Sequence, residues 1–101
     1  MKVLFICNQN QHRSKTAEEL FKDRFETKSA GLFNANPVTE KQIEWADVVA
    51  VMEDFQRSEI AKRFPKQYLK KKIVSLSIPD AYRCNDKSLI TLLEKRVKEL
   101  F

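Results

Sequence analysis

Val3-Leu4-Phe5-Ile6-Cys7-Asn8-Gln9-Asn10-Gln11-His12-Arg13-Ser14 is the stretch that decides the fold. Four consecutive apolar residues fit a strand buried on both faces, the pattern of a parallel sheet. Cys7 ends that strand. Five polar residues separate it from Arg13, and Ser14 then opens a helical pattern reaching Phe25, with Ala17, Leu20, Phe21 and Phe25 at helical spacing. The Ser14 side chain suits a helix start, and Glu18 and Glu19 come early in the pattern.

Outward from this point the alternation continues. Thr27 to Ala30 reads as a short strand stopped by Gly31, and Thr39 to Ala46 as a helix in which Thr39 and Gln42 form a capping box. Asp47 to Met52 is a second buried strand, and Phe55 to Phe64 a helix stopped before Pro65. Lys72 to Leu76 is the last strand. A loop from Ser77 to Asn85 leads to a helix over Lys87 to Leu100, with Leu89, Ile90, Leu93, Val97 and Leu100 on one face. The order βαβαβαβα predicts an α/β three-layer sandwich, a four-stranded parallel sheet flanked by helices, with a phosphate-binding loop after strand 1. In such sheets ligands sit at the carboxyl ends of the strands. Functional residues are therefore expected in Cys7 to Arg13, Gly31 to Val38, Glu53 onward and Ile78 to Asn85.

Composition limits the alternatives. With 101 residues the chain is expected to form one domain over residues 1–101. It has one glycine, Gly31, where about seven would be average. Gly-rich dinucleotide and nucleotide-triphosphate loops are thereby excluded. A single histidine and two cysteines, Cys7 and Cys84, exclude zinc sites of four cysteines or of two cysteines and two histidines, and no metal or cofactor is expected. No apolar run spans a bilayer and no signal-peptide pattern is present, so the expectation is a cytoplasmic protein with no membrane partner, working as a monomer. The net charge of +5 suggests anionic partners. Much of the excess lies in Lys66, Lys70, Lys71 and Lys72. No aromatic residues alternate with arginine as a single-strand stacking platform requires, so charge alone does not argue for nucleic acid.

The first loop carries the chemistry. Five residues between a strand and a helix can curl so that backbone N–H groups point inward, forming an anion cradle with the helix N-terminus. Arg13 can add a bidentate fork to two oxygens of a tetrahedral oxyanion. Cys7 at the floor of that cradle would feel a positive field that favours its thiolate, a nucleophile aimed at bound phosphorus. Ser14 can donate a hydrogen bond to the sulfur and ease its later departure. Asn10 tolerates a left-handed backbone and can tie the loop through its amide.

Val3-Leu4-Phe5-Ile6-Cys7 through Arg13-Ser14 and Ala17-Glu18, Ser29-Ala30-Gly31, and Ala46-Asp47 through Val51-Met52-Glu53 together resemble the low-molecular-weight protein tyrosine phosphatases, in particular a compact bacterial and archaeal branch. The resemblance covers most of the chain. It implies a phosphatase hydrolysing phosphotyrosine or related aryl phosphomonoesters through a phosphocysteine on Cys7. Arg13 would bind the phosphate. Asn8, Gln9, Asn10, Gln11, His12 and Ser14 would form the substrate-binding loop, which Asn10, Ser14 and Glu53 would support. A phosphorylated protein or small aryl phosphate would be the partner, and phosphate or vanadate-like oxyanions would inhibit.

Cleavage also needs a proton for the leaving oxygen. In the family an Asp-Pro-aromatic stretch supplies it. Here Pro79-Asp80-Ala81-Tyr82 offers Asp80 as the acid and Tyr82 as an aromatic wall of the cleft, with Phe33 a second candidate wall. Asp86 is a rival carboxylate better placed as a helix cap. Trp45, inside a helical pattern, reads as packing.

Five positions depart from the family pattern: Gln9 stands for the usual Gly, His12 for a frequent second Cys, Lys15 for Pro, Ala81 for Pro and Glu53 for Asp. No disulfide can form within the loop, and Gln9 should make it stiffer and its rim bulkier. Two other functions fit the same loop. One is a thiol-dependent arsenate reductase, for which Cys84 would be the only resolving thiol. The other is a non-catalytic phosphate- or phosphoprotein-binding module.

Overall fold

The computed structural model describes residues 1–101. Its elements are β1 (Lys2–Cys7), α1 (Arg13–Phe21), β2 (Glu26–Gly31), α2 (Glu40–Trp45), β3 (Val48–Val51), α3 (Asp54–Arg63), α4 (Pro65–Lys70), β4 (Lys72–Ser75) and α5 (Lys87–Leu100). All strand pairs are parallel, in the order β2-β1-β3-β4. The chain leaves β1 for β2 on one side and returns to β3 on the other. The switch in strand order therefore falls beside Cys7, where parallel sheets bind ligands.

β1 is apolar throughout because it is covered on both faces. Its side chains alternate between two cores, as a two-residue period requires. Val3, Phe5 and Cys7 join Ala50, Met52 and residues of α1 and α5, including Ala17, Phe21, Leu89, Leu93 and Val97. Leu4 and Ile6 join Val49, Val51, Ile43 and Ile60 on the opposite face. These are the two faces of a three-layer α/β sandwich.

Two elements, α1 and α4, differ from the sequence expectation. The helix after the first loop ends at Phe21 instead of Phe25, because the amides of both Arg24 and Phe25 close back on the Phe21 carbonyl, each at 3.0 Å. Phe25 stays apolar-packed in that turn, its ring 6.3 Å from Phe21 and 5.6 Å from Phe101, and this produced the helical spacing. Pro65 stops α3 but also starts α4, a stretch to which the sequence pattern assigns no element. Proline at the first helical position needs no amide acceptor, and Phe64 (φ −132°, ψ 63°) makes the break between the two helices. The turn α1 starts at Arg13, and Ser14 does not cap it. The expected capping box at Thr39 and Gln42 and the Asp86 cap of α5 are both formed.

Gly31 pairs with Cys7 at the end of β2 and β1. A Cβ on Gly31 would lie 2.9 Å from the Asn8 carbonyl oxygen and 2.8 Å from the Asn34 side chain. The chain's one glycine thus permits close approach of β2 to the loop after β1; its backbone φ is not positive.

Candidate active site

The loop Asn8–His12 runs from the buried end of β1 to the first turn of α1. Its curl is set by Asn10, which has φ 55°, a left-handed backbone that asparagine accepts more readily than most residues. The curl brings the Asn10 amide to 3.2 Å from Cys7 Sγ. The amides of Gln9, Gln11, His12 and Arg13 have no acceptor within the protein. These four residues line one pocket beside the α1 N-terminus, whose first-turn amides lack intrahelical partners and carry a positive partial charge.

Cys7 is buried, and Ser14 Oγ lies 2.9 Å from its sulfur. Ser14 Oγ also donates to Asn10 Oδ1 at 2.8 Å. A hydroxyl has one hydrogen to give. With Cys7 as a thiol, the S–H donates to Ser14, and Ser14 donates to Asn10. With Cys7 as a thiolate, the Ser14 hydrogen can turn to sulfur. The pair can therefore serve either protonation state of the Cys7 sulfur, and Ser14 makes no cap bond to the helix.

Arg13 is the largest fully buried side chain, 2% exposed. Burying a guanidinium requires partners. Nη1 donates to Glu53 Oε1 and, at 2.7 Å, to the Ile78 carbonyl, while Nε lies 3.8 Å from Asp80 Oδ1. Glu53 follows β3 and Ile78 and Asp80 follow β4, so Arg13 is fixed by the ends of two neighbouring strands.

Cys7, Asn8, Gln9, Gln11, His12, Arg13 and Asp80 surround a pocket of about 250 Å³. Asn10 and Ser14 stand behind the sulfur. The two proposed aromatic walls are elsewhere. Phe33 is 48% exposed, its ring under the Arg63 guanidinium at 5.0 Å, and only its carbonyl meets the loop, through a long 3.5 Å contact from Gln9 Nε2. Tyr82 packs against the core and lines a separate groove with Lys87, Ser88, Thr91 and Leu92. Trp45 packs in the opposite core, with Lys28 Nζ 4.5 Å from its ring centre. No group of three or more His, Cys, Asp or Glu side chains is arranged to hold a metal ion. No helix is long and apolar enough to cross a membrane.

Three supporting residues escape the sequence reading. Gln56 is fully buried; its Oε1 accepts the Met52 and Glu53 amides at 2.8 and 2.9 Å, and its Nε2 donates to Asn8 Oδ1 at 2.8 Å. It joins the end of β3 to the loop. The Glu53-x-x-Gln56 spacing at a helix start was the available signal. Arg63 donates to the Leu32 carbonyl at 2.7 Å. Thr16 is buried under the segment that carries Asp80. Neither of the last two has a local sequence signature.

The fold is that of the low-molecular-weight protein tyrosine phosphatases, α/β sheets with this arrangement of strands and helices. Among solved structures, a low molecular weight phosphotyrosine phosphatase from Vibrio cholerae O395 is 19% identical with a TM-score of 0.81, covering 99% of this chain and 94% of that one. YwlE arginine phosphatase from Geobacillus stearothermophilus is 23% identical with a TM-score of 0.74, over 97% and 90% of the two chains. The tyrosine phosphatase Wzb from Escherichia coli K30, in complex with phosphate, is 24% identical with a TM-score of 0.71, over 97% and 94%. No protein-family model and no curated protein matches the sequence.

Proposed function

We propose that the chain is a cysteine-dependent phosphatase of the low-molecular-weight protein tyrosine phosphatase family. One observation carries the reading: a buried cysteine with its sulfur at an amide cradle, beside a buried arginine, with a carboxylate across the same pocket. A phosphoryl group enters with its free oxygens toward the loop amides and the Arg13 guanidinium, which stabilise charge on the transferring group. Cys7 Sγ forms a bond to phosphorus as the bond to the leaving atom breaks. Asp80 gives its proton to that leaving atom. Ser14 holds the sulfur. Water, losing its proton to Asp80, then attacks phosphorus; the S–P bond breaks, phosphate leaves and the thiolate returns.

The substrate expected from the family resemblance is phosphotyrosine or another aryl phosphomonoester on a protein or small molecule. A second substrate reading rests on the pocket lining, in which amide, imidazole and carboxylate groups surround Cys7 and no Phe, Tyr or Trp ring does. That lining suits a hydrogen-bonding leaving group such as the guanidinium of phosphoarginine, the class named for one structural neighbour. Rates on p-nitrophenyl phosphate, a phosphotyrosine peptide and a phosphoarginine peptide, each with a Cys7→Ser control, test both. Hydrolysis of at least one, lost in Cys7→Ser and inhibited by vanadate and phosphate, is expected. Folded protein that binds phosphate and turns over none of them would make the chain a binding module instead.

A further inference from the structure

Asp80 sits in a loop that is fixed at both ends and, between them, touches the rest of the chain through Tyr82, packed against the core, and through the approach of Asp80 to Arg13 Nε at 3.8 Å. At its entry, the Ile78 amide donates to the Met52 carbonyl at 2.7 Å and the Ile78 carbonyl accepts from Arg13. At its exit, the Cys84 amide donates to His12 Nδ1 at 3.2 Å, and the Asn85 amide donates to Thr16 Oγ1 at 2.9 Å. The Thr16 hydroxyl in turn donates to Cys84 Sγ at 3.6 Å. Between these anchors Pro79, Asp80, Ala81 and Arg83 are exposed, and the backbone bonds within the loop run from the Ala81 amide to the Pro79 carbonyl and from the Asp86 amide to the Arg83 carbonyl.

Thr16 is an unusual place for a polar side chain, 1% exposed in the middle of a helix. A helical threonine commonly turns its hydroxyl back to the carbonyl four residues earlier. Here that carbonyl, of His12, accepts the Thr16 amide at 2.9 Å, and the hydroxyl reaches across to the loop instead. Both its donor and its acceptor capacity are used there. Arg13 and Thr16 are three residues apart and share a face of α1. One helix face thus grips both ends of the same loop. Asn85 also has φ 63°, immediately before the Asp86 cap of α5, so the exit anchor is continuous with that helix. His12, accepting from Cys84 at Nδ1, also lines the pocket.

We infer that Thr16, together with His12, is a positioning residue that latches the exit of the Asp80 loop onto α1 and thereby sets the reach from Asp80 to the leaving atom above Cys7. The inference rests on the phosphatase reading; Thr16 itself does not line the pocket.

Thr16→Val removes the hydroxyl and keeps nearly the same shape. A displaced acid harms most those substrates whose leaving group needs the proton. Expected losses in kcat/KM are about tenfold or more on phenyl phosphate and about threefold or less on p-nitrophenyl phosphate, out of the 10²–10⁴ that a general acid contributes. Inhibition by inorganic phosphate should stay at the wild-type level. Thr16→Ser, which keeps the hydroxyl, should restore both rates. Equal losses on the two substrates, no loss, or a serine variant as impaired as the valine one would overturn the inference. Hydrogen exchange at the Cys84 and Asn85 amides reads the latch without turnover. Both should exchange faster in Thr16→Val, and unchanged exchange overturns the latch. In His12→Ala only the Cys84 amide should be released, and this variant serves if Thr16→Val does not fold. A wild-type chain that hydrolyses neither of these substrates, nor a phosphotyrosine or phosphoarginine peptide, overturns the phosphatase reading, and the exchange result then decides the latch alone.

Discussion

The loop from Cys7 to Arg13 and the loop from Ile78 to Asp86 face each other across one pocket and are built in opposite ways. The first is held from inside. Its own residues supply the contacts, from Asn10 to sulfur, from Ser14 to Asn10 and Cys7, and its cation is almost wholly buried. The second makes few contacts of its own and is held at its ends by residues of other elements, Arg13, Met52, His12 and Thr16. Its carboxylate is 62% exposed. On the proposed function, a rigid half would hold the anion and a tethered half would deliver the proton. An anion cradle must be preorganised to stabilise charge, whereas an acid must approach and withdraw as substrate and product pass.

Breaking the rigid half should be the larger loss. Cys7→Ser removes the nucleophile, and turnover of every substrate should fall to background while the protein keeps its fold and its phosphate site; steady-state rates and phosphate titration check this. Asp80→Asn attacks only the tethered half. It should lower kcat by about 10²–10⁴. The loss should be large on phenyl phosphate and small on p-nitrophenyl phosphate, whose leaving group needs the proton less, and equal losses on the two would take the acid role from Asp80.

Gln56→Ala sharpens the contrast without touching substrate. It leaves the buried Met52 and Glu53 amides without acceptors, a loss of about 1–3 kcal/mol in stability by denaturant unfolding. No exposed residue between Pro79 and Arg83 should have a comparable effect. The smallest change is Gln9→Gly on the rim of the rigid loop. It should fold normally and shift the ratio of rates on small and peptide substrates; an unchanged ratio would make Gln9 a neutral replacement for the glycine seen in relatives.

The same contrast explains what the sequence could disclose. The first loop is contiguous, so its spacing alone places Cys7, Arg13 and Ser14 relative to a strand and a helix, and the buried runs of β1 and β3 give the parallel sheet. Glu53 and Asp80 come with less certainty of partner, since each meets Arg13 only through sheet topology. Thr16, Gln56 and Arg63 act across 69, 48 and 31 residues of chain, and of these only Gln56, three residues after Glu53, carries a local pattern. Phe33 and Tyr82 lie on loops at the correct end of the sheet, yet a side chain's direction depends on what else can take it. Arg63 takes Phe33, and α5 takes Tyr82. Gly31 first reads as a scarcity that excludes other phosphate loops; its own position is explained only by how closely Asn8 approaches it.

The central claim is that Cys7 takes the phosphoryl group covalently. Rapid acid quench of the wild-type protein during turnover, followed by peptide mass spectrometry, tests it most directly. The account predicts one phosphoryl group on the peptide containing Cys7, appearing before free phosphate reaches its steady rate and absent when vanadate is present. Turnover without any phosphoryl group on Cys7, under quench conditions that preserve a thiophosphate bond, would contradict it.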